Sequence, residues 1–575
     1  MAGVTTAAPP GGVSSNRSAA ILALTGVLTV SLLGLGLRLG METARWWFTG
    51  DEGIYLQVAT TALTERAQEV IHKNAHPPLH YWILRLAAPW VHDPANLRLI
   101  SLVAGWFGIL AAGWLGWESA TGKTRWGRVA GAWFGSVMVA LAPGLIVQAA
   151  TLRPYALCVF VLTAGLASLL RYLTGGRTRW LVVFSVGLTV AVLLLYSSFL
   201  VALALGLLLL GALLAGRLSR KQFATLLAAG APAMVAMAWL LATHIRPQLL
   251  GSGMHRRATD LWLHDQFAHG LFQALRLLQR AVEFSFSNTL AWLVLLPALL
   301  AAVLSVARRR GALGILLLLQ ITVTVACSLA GLLPLGPSRH SLYLVPVFVA
   351  ASASALAWTM EQLSPTSDML PQRPRRLAPW LMGGLATLFV VPVGLTLRDM
   401  ARAGLYATLG ATRREFVVTR ELLATVKTFV QKAPVEAWLT DVQTSMLLIP
   451  LASPENRVLT PETSFAGAHL DVLGRRLAVV KSWQLPESPA PQNDPVEAAL
   501  AWLEPVATRG NGQIGLVIGG WGNSAAYRLA TTLRASGQAA VVAVGDASLA
   551  AVLVAPAALR SWRAIQKARQ TALSR

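Results

Sequence analysis

Between residues 19 and 397 the chain is dominated by apolar runs of membrane-spanning length, and few folds are open to such a chain. Inside a bilayer no water satisfies free backbone N–H and C=O groups, so each run must close its own hydrogen bonds as a helix. Composition agrees: 55% of the 575 residues are hydrophobic and 13% are charged, against roughly a quarter charged in an average soluble domain. The runs read as 19–37, 97–117, 129–147, 155–170, 180–196, 199–215, 223–243, 289–306, 312–333, 342–360 and 379–397, about eleven helices of roughly 20 residues each. Residues 1–18 are small, polar and contain Pro and Gly, the composition of a disordered tail. The first run lacks a small-residue cleavage site before Arg45, so it reads as an uncleaved helix rather than a signal peptide.

Charge supplies the orientation. The net charge of +23 would suit nucleic acid, but much of it falls in short loops between apolar runs, so no nucleic acid is expected as a partner. Lys123, Arg125 and Arg128 mark one such loop, Arg171, Arg177 and Arg179 a second, and Arg217, Arg220 and Lys221 a third. Arg308–Arg310 and Arg373, Arg375 and Arg376 follow on the same side. Cytoplasmic loops carry the Lys and Arg excess, so that side and the N-terminus face the cytoplasm. The first outer loop, 39–96, the segment 245–288 and everything after Arg398 then lie outside a multi-pass cytoplasmic membrane protein. Twenty Trp fit many membrane interfaces. Cys158 and Cys327 lie inside apolar runs and form no CxxC or metal spacing.

After a transmembrane domain spanning 19–398, composition shifts to that of a soluble domain, 399–575. Residues 413–432 form an amphipathic helix; strand-like runs at 435–439, 457–459, 477–480, 513–518 and 539–544 alternate with helical ones at 496–506 and 525–535. That alternation predicts an α/β domain with a largely parallel sheet. Gly519-Gly520-Trp521-Gly522 follows a strand but lacks the GxGxxG order, and no nucleotide site is read from it. The basic helix 556–573, with Arg560, Arg563, Lys567 and Arg569, reads as a solvated face, with anionic lipid headgroups as the other partner open to it.

The chemistry concentrates in the first outer loop. Gly50-Asp51-Glu52-Gly53 is followed by a helical stretch and then by His76-Pro77-Pro78-Leu79-His80-Tyr81-Trp82. Two adjacent carboxylates at a bundle mouth are costly unless solvated, paired or used. A plain structural reading exists: Asp51 caps a helix from 53 to 67, Glu52 favours its dipole, and Pro77-Pro78 open the next helix. The combination, in this order and topological position, resembles the GT-C glycosyltransferases. It is most similar to the bacterial branch of the dolichyl-phosphate-mannose protein mannosyltransferase family, which also includes the lipid A aminoarabinose transferase.

That resemblance implies a GT-C helical bundle with an extracytoplasmic α/β domain, moving a sugar from a polyprenyl-phosphate donor to a protein, lipid or glycan acceptor. Asp51 matches the family's base, and Glu52 would support it. His76 stands where some relatives place Lys before Pro-Pro. Arg153 and Tyr155, in Gln148-Ala149-Ala150-Thr151-Leu152-Arg153-Pro154-Tyr155, match an Arg shortly before Tyr. Arg339, His340 and Tyr343, in Gly336-Pro337-Ser338-Arg339-His340-Ser341-Leu342-Tyr343-Leu344-Val345-Pro346, resemble the family's Arg-(Tyr/His)-x-x-x-x-Pro segment. Such a reaction needs a carboxylate to take the acceptor's proton and cations to hold the departing phosphate, and the planar fork of Arg suits phosphate. For Arg153 the alternative is a partner among Asp51 and Glu52; for Arg339 it is snorkelling to the interface. Tyr196 and His255-Arg256-Arg257 are lesser candidates. A divalent cation on Asp51, Glu52 and His76 is left open, since no dense ligand spacing argues for one. The rival readings are a transporter of a lipid-linked saccharide, which would place ionisable residues near mid-membrane, and a non-catalytic scaffold with an outer binding domain.

Overall fold

In the computed structural model, residues 12–40, 50–60, 76–120, 124–246, 271–307 and 311–362 are described, the last apart from 331, 334 and 337. Residues 469–480, positions 68 and 71, and parts of 387–400, 418–451 and 501–564 are described too. Two compact units result. The first comprises Met1–Met41, Ala75–His80 and Arg98–Thr412; the second comprises Glu42–Asn74, Tyr81–Leu97 and Arg413–Arg575.

In chain order the helices are α1 (Gly12–Leu39), α2 (Gly50–Thr60), α3 (Leu79–Ala87), α4 (Arg98–Ser119), α5 (Arg125–Leu141), α6 (Pro143–Ala149) and α7 (Tyr155–Gly175). They continue as α8 (Thr178–Leu194), α9 (Phe199–Leu214), α10 (Arg220–Leu240), α11 (Leu271–Ala307), α12 (Ala312–Leu329), α13 (Val345–Gln362) and α14 (Arg420–Lys432).

The first unit is a helical bundle. Among the described residues, eight helical segments are long and apolar enough to cross a membrane, or nine if the bent pair α5 and α6 is one span. Eleven were expected. Helix α8 has 17 residues and falls short because the chain turns extended at Leu195, and the expected span 379–397 lies only partly in the described residues. Helices α4, α5 and α7 pack side by side. On the α4–α5 seam, a Cβ on Gly116 would collide with the carbonyl oxygen of Gly131, so small residues set that approach.

Two expected spans take a different form. The run 129–147 is broken: α5 stops at Leu141, Ala142 is extended, and α6 leaves at 62°. Pro143 is the cause, since it has no N–H to give the carbonyl of Val139. The span expected at 289–306 belongs to the 37-residue α11, which already starts at Leu271, within the segment read as an outer loop. Its two halves join at Ser287, with φ 69 and ψ 164, where the Ser287 hydroxyl accepts from Leu290 N–H at 3.4 Å and caps the second half.

Among the described residues the second unit holds a six-stranded sheet. Its strands are β1 (Trp438–Asp441), β2 (His469–Val472), β3 (Arg475–Val480), β4 (Ile514–Gly519), β5 (Val542–Gly545) and β6 (Leu549–Val554), in the order β2-β3-β1-β4-β6-β5. Among the described strands only β1 pairs in parallel, with β3 and β4; the other three pairs are antiparallel, so the sheet is mixed rather than largely parallel. The helix expected at 413–432 is α14, which lays Leu423, Val426 and Val430 on the cluster of Trp438, Leu470, Val479 and Leu553. Strands β2 and β6 were not foreseen; β6 is buried along its whole length and shows no alternation to reveal it. The first outer loop is part of this unit: α2 packs on Ile449–Leu451, and Arg420 meets Asp93 at 3.5 Å. Of the tail expected at 1–18, residues 12–18 are instead the first turns of α1, and 1–11 lie outside the described residues. So do strand 457–459 and helix 525–535, with His255–Arg257, Arg308–Arg310, Arg373–Arg376 and Gly520–Gly522.

Candidate functional site

Three separate segments of the first unit meet at one end of the bundle, and each is fixed by local chemistry. His76, Pro77 and Pro78 are buried, and the two prolines pre-set the backbone that opens α3 at Leu79. Residues 150–154, between α6 and α7, are buried as well. There Arg153 N–H donates to the Thr151 carbonyl at 2.9 Å, and Ser101 of α4 donates its hydroxyl to the Arg153 carbonyl at 3.1 Å. The third segment is a 3-10 turn, Arg339–Leu344, leading straight into α13. It packs on α6, α7 and the Tyr196–Ser198 turn, where Ser197 donates to the His340 carbonyl at 3.4 Å.

Tyr155 is the hub. Its hydroxyl accepts from Arg339 Nε at 3.0 Å and lies 2.8 Å from His76 Nε2. The His76 and His340 rings face each other at 6.1 Å, and the Tyr155 ring stands edge-on to both, at 5.5 and 6.0 Å. The Arg339 guanidinium lies 6.0 Å from the centre of the Tyr155 ring. Arg153 belongs to the same neighbourhood and is 1% exposed.

Electrostatics follow from that crowd of donors. Burial pushes His76 well below the usual histidine range, and His340, Arg339, Arg153 and His80 push it further the same way. The imidazole is therefore neutral at pH 7. Its geometry is satisfied when the Tyr155 hydroxyl accepts from Arg339 and donates to His76 Nε2. Burial lowers His80 to about 3, against a smaller upward effect of a hydrogen bond with the Leu152 backbone. Helices α7 and α13 begin at these segments, so the positive ends of two helix dipoles add to the field. The buried Arg153, the half-buried Arg339, neutral donors and helix N-termini together suit an anion with several oxygens.

The structure thus brings together His76, Arg153, Tyr155, Arg339 and His340. Tyr343 points elsewhere: its hydroxyl lies 2.8 Å from Thr324 of α12, which also accepts from Gln320 at 3.3 Å. Asp51 and Glu52 stand in the first turn of α2, in the second unit, so Asp51 is inside the helix rather than its cap. Glu52 is fully buried; the carboxylate of Asp51 is outside the described side chains. On the same element Tyr55 stacks on Tyr81 at 4.9 Å, and Arg85 donates to the Val58 carbonyl at 2.6 Å. Among the described residues no group of three or more His, Cys, Asp or Glu is gathered as for a metal ion. Sequence reasoning missed Ser101, which acts through its neighbour's main chain and leaves no motif. It also missed Arg38, which reads simply as the charged end of the first apolar run.

No family model matches the chain, and no curated protein matches it in sequence. Among solved structures it is similar to the oligosaccharyltransferase of Archaeoglobus fulgidus in the apo form, at 14% identity over 73% of this chain, with TM-score 0.43. The chain spans 62% of that protein's length. It is similar also to the oligosaccharyltransferase AglB of that organism in complex with an inhibitory peptide and a dolichol-phosphate: 13% identity, 86% of this chain and 69% of the other, TM-score 0.48. A third is ArnT from Cupriavidus metallidurans bound to undecaprenyl phosphate: 15% identity, 93% and 97%, TM-score 0.46.

Proposed function

We propose that this chain is an integral-membrane glycosyltransferase of the GT-C kind, moving a sugar from a polyprenyl-phosphate carrier to an acceptor outside the cytoplasmic membrane. The observation that carries the reading is the convergence of His76, Tyr155 and Arg339 in one hydrogen-bonded group, with Arg153 and His340 beside it, where α7 and α13 begin. By chain direction this end is opposite to the ends that carry Arg171, Arg177, Arg179, Arg217, Arg220 and Lys221. Ionisable groups gathered at helix ends favour an enzyme over a transporter, whose sites sit near mid-membrane.

In this reading the acceptor hydroxyl oxygen attacks the anomeric carbon, and the bond from that carbon to the phosphate oxygen breaks with inversion. The electron pair leaves with the polyprenyl phosphate, and Arg339 and Arg153 hold the growing negative charge. The proton goes to Asp51, with Glu52 supporting it; these two roles rest on the Asp51-Glu52 and His76-Pro77-Pro78 motif resemblance. Tyr155 fixes the Arg339 fork, and Tyr343 serves the turn rather than the donor. The sugar is a hexose or pentose, mannose-like by the resemblance, and the acceptor is a protein, lipid or glycan.

The test is single-turnover transfer in nanodiscs from a labelled polyprenyl-phosphate sugar, with and without EDTA, alongside mass analysis of envelope glycans with and without the gene. Transfer with inversion supports the reading. Movement of the lipid-linked sugar across the bilayer with no new glycosidic bond would overturn it in favour of a transporter.

A further inference from the structure

Arg38 is a fully buried cation in the last turn of α1. Its Nη1 donates to the carbonyls of Gly34 at 3.0 Å and Ala140 at 3.2 Å, and its Nη2 to that of Val139 at 3.1 Å. Val139 and Ala140 are two of the carbonyls that the break in the α5–α6 helix frees. In an unbroken helix Val139 would accept from residue 143, which is Pro, and Ala140 from residue 144, which the 62° bend carries away. The guanidinium fork replaces both lost donors, and its charge sits at the negative ends of two helices, α1 and α5.

The anion cluster lies just beyond the break. Helix α6 ends at Ala149, and the buried stretch to Arg153 and Tyr155 comes directly after it. Gly105 of α4 ties the two together: a Cβ there would lie 2.6 Å from Ala149 Cβ and 3.1 Å from Arg38 Nε. One turn earlier on α4, Ser101 holds the Arg153 carbonyl. Arg38, the end of α6 and the main chain of Arg153 are thus packed in sequence along one face of α4.

We infer that Arg38 is a positioning residue for the cluster: by satisfying the carbonyls of the helix break it fixes the bend, and so fixes where Arg153 and Tyr155 stand. The inference rests on the anion-binding reading of that cluster. It does not make Arg38 a ligand of the anion.

Hydrogen exchange and lipid binding test it separately, on the full chain in nanodiscs. With Arg38→Gln, exchange of the peptide covering 143–155 should rise by about tenfold or more, while exchange in β1, β3 and β4 stays as in the parent. Affinity for undecaprenyl phosphate should fall by about 10- to 100-fold, the worth of misplaced hydrogen bonds to a charged group. Arg38→Lys should recover part of both, having the charge without the fork. If Arg38→Gln does not insert, Gly105→Ala pushes on the same joint with the charge kept and should move the same two readouts. Unchanged exchange at 143–155 in the folded variants overturns the inference. So does raised exchange with unchanged lipid affinity, where Arg153→Ala abolishes binding. Normal undecaprenyl phosphate binding by a folded Arg153→Ala protein overturns the anion reading itself, whatever the exchange result.

Discussion

Arg339 donates its Nε–H to the hydroxyl of Tyr155 at 3.0 Å, across 184 positions of sequence, and His76 Nε2 lies 2.8 Å from that same oxygen. A hydroxyl has one hydrogen and two lone pairs, so it can accept from the guanidinium and at the same time donate a hydrogen bond to the lone pair of a neutral imidazole. One phenolic oxygen thereby fixes two side chains from different segments of the chain.

Tyr155→Phe keeps the ring and removes that oxygen. Losing a buried hydrogen-bond partner costs about 1–3 kcal/mol, so donor affinity should fall by roughly 10- to 100-fold with insertion and assembly retained. Titration with undecaprenyl phosphate by native mass spectrometry reads this directly. Parental affinity in a folded Tyr155→Phe protein would show that the hub does not orient the donor site.

Arg339→Ala should weaken donor use more than Tyr155→Phe does, because it removes the charge as well as the contact. Lys at 339 should restore only part, since it lacks the bidentate fork. The comparison is made as kcat/KM for the lipid donor across the three proteins. Equal rescue by Lys would point to a simple charge requirement and against a fork on phosphate.

For Asp51 the two roles separate cleanly. It stands in the first turn of α2, where Asn would preserve size and much of the hydrogen bonding. A helix-start role should therefore survive Asp51→Asn at small cost, whereas loss of a general base costs about 100- to 10,000-fold in rate. Single-turnover transfer decides. Near-parental turnover would remove Asp51 as the base and leave Glu52 next in line.

The buried histidines should make the folded chain sensitive to acid. His80 falls from 6.5 to about 3 in the folded chain, so between those values the unfolded chain binds a proton that the folded one does not. Stability from this group is fully present above pH 6.5 and is lost as pH falls toward 3, at up to about 1.4 kcal/mol per pH unit. His76 shifts in the same direction and adds to the effect. His80→Gln should flatten the decline of melting temperature between pH 6.5 and 4.5. An unchanged slope in that variant would mean that other groups set the acid limit.

Topology is checked with single cysteines at exposed positions, Thr174 at the end of α7 and Thr508 in the second unit. Thr508→Cys should label in intact cells with an impermeant maleimide, and Thr174→Cys only after permeabilisation. The reverse pattern would invert the orientation and place the cluster on the cytoplasmic side.

Much of the architecture was legible in the chain because local physics alone imposes it. Apolar runs must be helices in a bilayer, and the buried face of α14 shows in the spacing of Leu423, Val426 and Val430. Resemblance to family motifs picks out His76, Arg153, Tyr155, Arg339 and His340, which the structure brings together. Their pairing was not determined by the sequence. Tyr343 stands four residues from Arg339 on one short turn, yet its hydroxyl goes to Thr324 while Arg339 goes to Tyr155. Direction along a turn is settled by packing from neighbouring helices, not by spacing. Pro143 was passed over, the run 129–147 being read as one span, and the carbonyls it exposes are given donors by Arg38, more than 100 positions earlier. Helices and breaks come from neighbours in the chain; partners for buried charges come only once distant segments are packed, because desolvation forces each charge to take whichever opposite dipole the fold brings within reach.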